Sequence, residues 1–395
     1  MRSAGSRAAA EEGLLGEERS VRWIAHTEAL AEALEGIGAG PLAVDTEADS
    51  FHHYREKICL IQLSFGTNDL LIDPLAEIDL EPLREPLGDP RLPTVMHGAD
   101  YDVRLLGRCC GLEVRGLFDT MIAARLAGET AFGLSSLLER HFGVVLDKRF
   151  QRADWSVRPL TDEMKRYAVL DTRHLIELAA LLRERLESEG RGGWAAEEFL
   201  RLEQVRWQED EGSRERWHKI KGAGKLPRET LAVVRELAAL RDEVARQRDR
   251  PLFRILRDDA LLELARLGPT ELRELERVSV LPRRWRTGAD ARALLEAVAR
   301  ARALPPESWP ERPPRKGRPP TDPALNDRVQ ELRDGRDELA GRLGLDPAII
   351  APRAVLEGVA RAELEGSPIE KVGELRAWQR ELIEPLVQRG GGDVP

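Results

Sequence analysis

A chain of 395 residues exceeds one typical domain, and with 42% hydrophobic and 33% charged residues it is neither a fibrous nor a disordered polymer. Its apolar runs are too short to cross a bilayer as helices, and three cysteines, Cys59 and the vicinal Cys109 and Cys110, make neither a disulfide framework nor a CxxC metal motif, so a reducing cytoplasm is the expected compartment. The net charge of −9 is unevenly placed: residues 1–211 hold 25 Lys and Arg against 39 Asp and Glu, whereas residues 212–302 hold 22 against 14.

Residues 1–20 lack the uninterrupted apolar stretch of a secretory signal and read as a flexible leader. From about 21 to 190 strand-like and helix-like segments alternate, the pattern of an α/β domain. Strands are expected at Leu42–Glu47, Ile58–Phe65, Asp69–Ile72 and Thr94–His97, the first three as an antiparallel meander with short turns such as Gly66-Thr-Asn68. Helices fit Thr27–Leu34, Ala99–Cys109, Asp119–Leu126, Leu134–Phe142 and one long helix Thr161–Glu187, with Thr161 as N-cap and Asp162-Glu163 in its first turn. After Gly190-Arg-Gly-Gly193 the strand signal ends. A helical unit begins near Trp217 and runs to about Ala303, within a span set at 212–303. Residues 304–320, with seven prolines, read as a semi-rigid polyproline-prone linker. The segment 321–390 is helical again, and Leu325–Glu338 echoes Leu231–Glu243 in apolar spacing, which suggests a second copy of a small helical module. Amphipathic Arg- and Glu-rich helices also resemble one another without common origin.

Asp45 and Glu47 stand two apart on a strand, so alternation turns both carboxylates to one face, and the apolar Leu42-Ala-Val44 before them makes the strand buried and delivers them at a sheet end. Tyr167 and Asp171 are i and i+4 on a helix, hence neighbours. Asp102 opens a helix after the apolar strand Thr94-Val-Met96 and is preferred to Asp100, which would point elsewhere. Taken singly, each of these has a plain reading: a solvated sheet edge, or an exposed aspartate beside a core tyrosine. Together they offer four hard oxygen donors and a phenol.

Asp45-Thr-Glu47, His97-Gly-Ala-Asp-Tyr-Asp102 and Tyr167-Ala-Val-Leu-Asp171, with Cys59-Leu-Ile-Gln-Leu63 and Arg152–Leu160, resemble the ribonuclease D family, DEDD-type 3′–5′ exonucleases of the tyrosine subgroup. Trp217–Gly222 and Pro251–Asp258 are similar to HRDC domains. The resemblance covers about 21–303 and touches 321–390 only faintly. It implies a ribonuclease H-like exonuclease domain over 21–211, a mixed sheet with helices on both faces, followed by two all-α HRDC-like modules. It also implies a metal-dependent 3′–5′ exoribonuclease that releases 5′-mononucleotides from RNA 3′ ends, as in tRNA maturation, and works as a monomer. In that family scheme Asp45 would bridge two divalent ions, Mg²⁺ or Mn²⁺. Glu47 and Asp171 would complete the first site, and Asp102 would hold the second largely through water. Tyr167, a poor base at neutral pH, would orient the attacking water. The acidic first half and the basic residues after it suit such an arrangement, though charge segregation alone would also give it.

Weaker candidates follow. His97 is a possible phosphate or sugar contact or a packing residue. Lys219, Lys221 and Lys225 around Gly222-Ala-Gly224 form either a phosphate-contacting loop or an ordinary basic turn. Gln62 is expected to make hydrogen bonds inside the sheet, Trp155 and Trp217 to pack in cores, Asp119 to cap a helix, and His52-His53-Tyr54 to form a solvent-exposed loop or substrate lip. Two other functions fit part of the sequence: a 3′–5′ DNA exonuclease, since nothing in the motifs reads a 2′-hydroxyl, and a non-catalytic nucleic-acid-binding scaffold.

Overall fold

The computed structural model describes residues 19–208, 216–312, 322–369, 372, 373 and 375–389. Most of the expected leader and most of the proline-rich linker lie outside these residues. The chain divides into two compact units, one built from the first 48 residues with 58–207 and 321–395, the other from 49–57 and 208–320.

The first unit is organised by a six-stranded mixed sheet: β1 (Ser20–Ile24), β2 (Leu42–Ala48), β3 (Ile58–Phe65), β4 (Asn68–Ile72), β5 (Thr94–Met96) and β6 (Leu117–Asp119), in the spatial order β1-β4-β3-β2-β5-β6. The expected meander is present, with β2 antiparallel to β3 and β3 to β4, while β1, β5 and β6 add parallel pairings. One face of the sheet, carrying Val44, Ile61, Leu63 and Ile72, packs on helices α1 (Thr27–Leu34), α2 (Arg84–Gly88) and α3 (Asp100–Leu105). The opposite face packs on α4 (Thr120–Leu126), α5 (Leu134–Phe142), α6 (Asp162–Arg173), α7 (Leu175–Ser188) and α8 (Gly192–Glu203). Burying both faces explains why β3 reads as a nearly continuous apolar run, all eight of its residues being buried.

Three local expectations change. The single helix over Thr161–Glu187 is two helices, α6 and α7, because His174 leaves helical geometry at φ −107°, ψ 4°. The break lets α6 lie across β2, β3 and β4 while α7 packs against α4. The helix expected over Ala99–Cys109 closes as a π-turn at Leu106–Cys110, ending on Gly111 in the left-handed region. Strands β1 and β6 extend the sheet beyond the four expected strands.

The C-terminal helices α13 (Pro323–Leu343), α14 (Pro347–Ile350), α15 (Arg353–Leu364) and α16 (Ala377–Arg389) belong to this same unit. Trp378 stacks on Trp194 of α8 at 4.9 Å between ring centroids, and the Arg376 guanidinium donates to Glu198 at 2.9 Å. Arg191 Nη2 donates to the Leu343 carbonyl at 2.5 Å. Gly128 approaches the Gly344 carbonyl so closely that a Cβ would stand 2.7 Å from that oxygen, so glycine is required there.

In the second unit, α9 (Arg228–Arg248), α10 (Leu252–Ile255), α11 (Asp258–Leu267) and α12 (Gly288–Arg302) enclose the buried Trp217 and Trp285. Residues 49–57 join this unit: the Tyr54 hydroxyl donates to Asp242 at 2.8 Å and His53 Nδ1 lies 2.6 Å from Asp249. The segment His52-His53-Tyr54 is a loop, as one of its two readings had it, but it is half-buried rather than exposed, His53 and Tyr54 being held by aspartates of α9 and its end. The internal echo has a structural counterpart. Helices α9 and α13 are each 21 residues long, each precedes a four-residue helix, and each carries a buried arginine, Arg241 or Arg336, whose Nη1 donates to a backbone carbonyl 15 residues on, at Leu256 or Ala351.

Candidate metal centre

Strand alternation places Asp45 and Glu47 on the face of the sheet that α6 covers, and the i, i+4 spacing on α6 presents Tyr167 and Asp171 to the same place. Asp45, Glu47 and Asp171 each offer a carboxylate oxygen within 4.8 Å of the others. The first two are half-buried and Asp171 is 7% exposed. Asp102, also half-buried, is not one of that three-residue group. Its carboxylate accepts a short hydrogen bond from Thr46 Oγ1, a contact with the residue lying between the two strand acids. The turn that presents it is fixed by Asp119, which is fully buried and accepts from the Ala99 amide at 2.7 Å and the Ile122 amide at 2.9 Å, so its capping role also positions the start of α3.

Four carboxylates at this density resist ionisation. Burial pushes Asp45 well above the usual carboxylate range, and the negative charges of Asp102, Asp171 and Glu47 push it further. Glu47 is raised by burial and then by Asp171 and Asp102. Burial lifts Asp171 to about 7, partly offset by the neighbouring Tyr167 hydroxyl, and lifts Asp102 to about 6 against the bond from Thr46. Among the described residues no Lys, Arg or His makes an ion pair with any of the four. Convergent hard oxygen donors without such a pairing fit a divalent ion such as Mg²⁺ or Mn²⁺.

Tyr167 is 9% exposed, tilted over Trp155 at 6.0 Å between ring centroids, and its phenol is driven upward by burial and then by Asp171, Glu47 and Asp45. A hydroxyl so placed keeps its proton. His97 is half-buried with Nδ1 2.9 Å from Thr120 Oγ1, and Thr120 donates in turn to the Met96 carbonyl at 3.0 Å. Burial lowers its pKa to about 4, which favours the neutral imidazole, and its Nε2 is buried without a hydrogen-bond partner. Lys219, Lys221 and Lys225 are exposed in the second unit, whereas Trp217 beside them is 5% exposed and offers no face for base stacking. Sequence reading missed the polar network beneath the acids. Ser64 Oγ lies 2.7 Å from Thr172 Oγ1 and donates to Asp69 at 2.7 Å, and Asp69 also accepts from Arg173 and Arg19. The signal was the polar residues in an otherwise apolar β3.

The chain matches the 3′–5′ exonuclease family model over residues 21–187 and the HRDC domain model over 230–298. It is 34% identical over 366 residues to ribonuclease D of Pseudomonas paraeruginosa, a pairing that covers 92% of this chain and 95% of that protein. The chain belongs to the ribonuclease D family. Ribonuclease D of Escherichia coli is 34% identical over 292 residues, covering 72% of this chain and 76% of that protein. The crystal structure of E. coli RNase D, described as an exoribonuclease involved in structured RNA processing, superposes with a TM-score of 0.70 at 28% identity over 94% of this chain and 98% of that one. The catalytic core of RRP6 from Trypanosoma brucei does so with a TM-score of 0.64 at 27% identity, covering 76% of this chain and 89% of that one. This ribonuclease D family member is accordingly a 3′–5′ exoribonuclease with the fold of a divalent-metal-dependent nuclease, an exonuclease domain followed by an HRDC domain. No helix among the described residues is long and apolar enough to cross a membrane.

Proposed function

We propose that the enzyme removes 5′-mononucleotides one at a time from the 3′ ends of structured RNA precursors, tRNA among them, using two divalent ions held by Asp45, Glu47, Asp102 and Asp171. The observation that carries this reading is the convergence of Asp45, Glu47 and Asp171 donor atoms within 4.8 Å, with no ion pair to any of them among the described residues. Asp45, Glu47 and Asp171 would hold one ion, and Asp45 with Asp102 the other. Divalent ions at such a site supply charge stabilisation for the attacking and leaving oxygens of the phosphodiester.

The remaining work falls to side chains. Tyr167, kept protonated, holds and orients the attacking water by a hydrogen bond and does not take its proton, because its pKa lies far above neutrality. Thr46 fixes one oxygen of Asp102 and so orients the carboxylate that would serve the second ion. The exposed Lys219, Lys221 and Lys225 supply phosphate contacts from the HRDC domain, whose surrounding sequence carries 22 basic against 14 acidic residues over 212–302. The segment 321–390 is a second HRDC-like module, a reading supported by its matching helix lengths and its buried Arg336. It holds 10 Lys and Arg against 14 Asp and Glu over 321–389, so its contribution is packing, not RNA affinity.

Matched single-stranded RNA and DNA oligonucleotides, 3′-labelled and incubated with Mg²⁺, test the substrate. RNA is expected to be shortened at least about tenfold faster, as membership of an exoribonuclease family implies. Equal rates, or faster DNA cleavage, would favour the DNA exonuclease instead.

A further inference from the structure

Gln62 stands at the centre of β3 with its side chain fully buried, yet neither its amide nitrogen nor its amide oxygen has a hydrogen-bond partner. The bonds expected of it inside the sheet are not made. In the sheet register Gln62 is directly opposite Asp45, and Leu60, its neighbour on the same face, is opposite Glu47. Directly paired residues share a face with their Cβ atoms about 5 Å apart, so the amide lies against the acidic cluster from the strand side. Helix α6 closes the same face: Leu60 and Leu71 pack with Tyr167 and Ala168 there. Ser64, two residues further along, satisfies its hydroxyl with Thr172 and Asp69. Of the polar side chains in this row, the amide next to the acids is the one left bare.

A bare buried amide is destabilising, and a leucine or methionine would fill the same space without that loss. The glutamine is therefore best explained by a partner that the present arrangement of acids does not offer. An ionised carboxylate has about four lone-pair sites, so Asp45 could serve a cation held together with Glu47 and Asp171 and still accept a hydrogen bond from the strand beside it. We propose that Gln62 is a positioning residue for the metal centre: its amide N–H donates to the Asp45 carboxylate when that side chain is turned toward a bound ion. It then fixes the orientation of the residue common to both ions. This rests on the metal-centre reading above, and outer partners of this kind commonly change metal affinity by 10–100-fold.

The test uses the full-length protein without substrate. Calorimetric titration with Mn²⁺ and thermal unfolding of the metal-free protein are compared for wild type and Gln62→Met, a near-isosteric change. The expected result is an unfolding temperature equal to or above that of the wild type, with Mn²⁺ affinity lowered at least about tenfold. A folded variant with unchanged affinity overturns the proposal. Should the variant unfold, the side-chain amide resonance of Gln62 in glutamine-labelled wild-type protein decides: a downfield shift on adding Mg²⁺ supports the bond, and no shift overturns it. If wild-type protein binds no Mn²⁺ at Asp45, the metal-centre reading itself fails, an outcome distinct from a Gln62→Met variant that binds as well as wild type.

Discussion

Asp45→Ala is expected to lower the rate of mononucleotide release from 3′-labelled RNA by about a thousandfold or more, while the protein still folds. Asp45 adjoins Glu47 and Asp171 in the three-acid group and feels the charge of Asp102 as well, so its loss disrupts every proposed ion contact. Metal stabilisation of a phosphoryl transition state is worth several kcal/mol, and each ~1.4 kcal/mol is a factor of ten in rate. Asp100→Asn is the control. Asp100 is exposed and bonded to Arg104 at 2.8 Å, outside the site, and its replacement should leave the rate within about twofold. Equal loss in both variants, or retained activity in Asp45→Ala, would place the chemistry elsewhere.

Metal-free Asp171→Asn protein is expected to unfold several degrees above the wild type at pH 8 and at nearly the same temperature at pH 4. The sign follows from the folded values, about 7 for Asp171 and about 6 for Asp102, both above the ordinary carboxylate value near 4. A carboxyl with a raised folded pKa favours the folded state through its protonated form. That contribution is complete below about pH 4 and is lost as pH rises through 6 and 7. At pH 8 the ionised acids oppose folding by on the order of a few kcal/mol, and removing one charge relieves part of this. About 2–4 °C accompany each kcal/mol in a domain of 150–250 residues. Saturating Mg²⁺ should reverse the order at pH 8, because the ion binds only the folded site and the wild type binds it better. Scanning calorimetry at pH 4, 6 and 8, with and without Mg²⁺, checks all three statements. A temperature difference independent of pH would contradict them.

The acidic core of this site was legible in the residues themselves. Two acids at strand spacing after Leu42-Ala-Val44, and a Tyr-x-x-x-Asp on a helix capped by Thr161, fix faces by periodicity alone, and the fold brings those faces together. Longer-range arrangement was not legible. The strand Ser20–Ile24 is short, mostly exposed and paired in parallel with β4, nearly 50 residues away, so nothing local announces it. Leu117–Asp119 is too short to show a period. The break at His174 carries neither glycine nor proline, and apolar periodicity runs through it. Asp102 was a candidate from its place at a helix start, but its bond to Thr46 depends on how α3 meets β2, a tertiary fact. His53 and Tyr54 look like free loop residues until Asp249 and Asp242 arrive from nearly 200 residues away. Gln62 was misjudged for a related reason: a polar residue inside a sheet normally finds a partner, and this one faces the acids.

Anomalous diffraction from a crystal soaked in Mn²⁺ tests the metal centre most directly. Manganese within coordinating distance of the Asp45, Glu47 and Asp171 carboxylates is the predicted result. A fully soaked crystal with no manganese at those three side chains would contradict it.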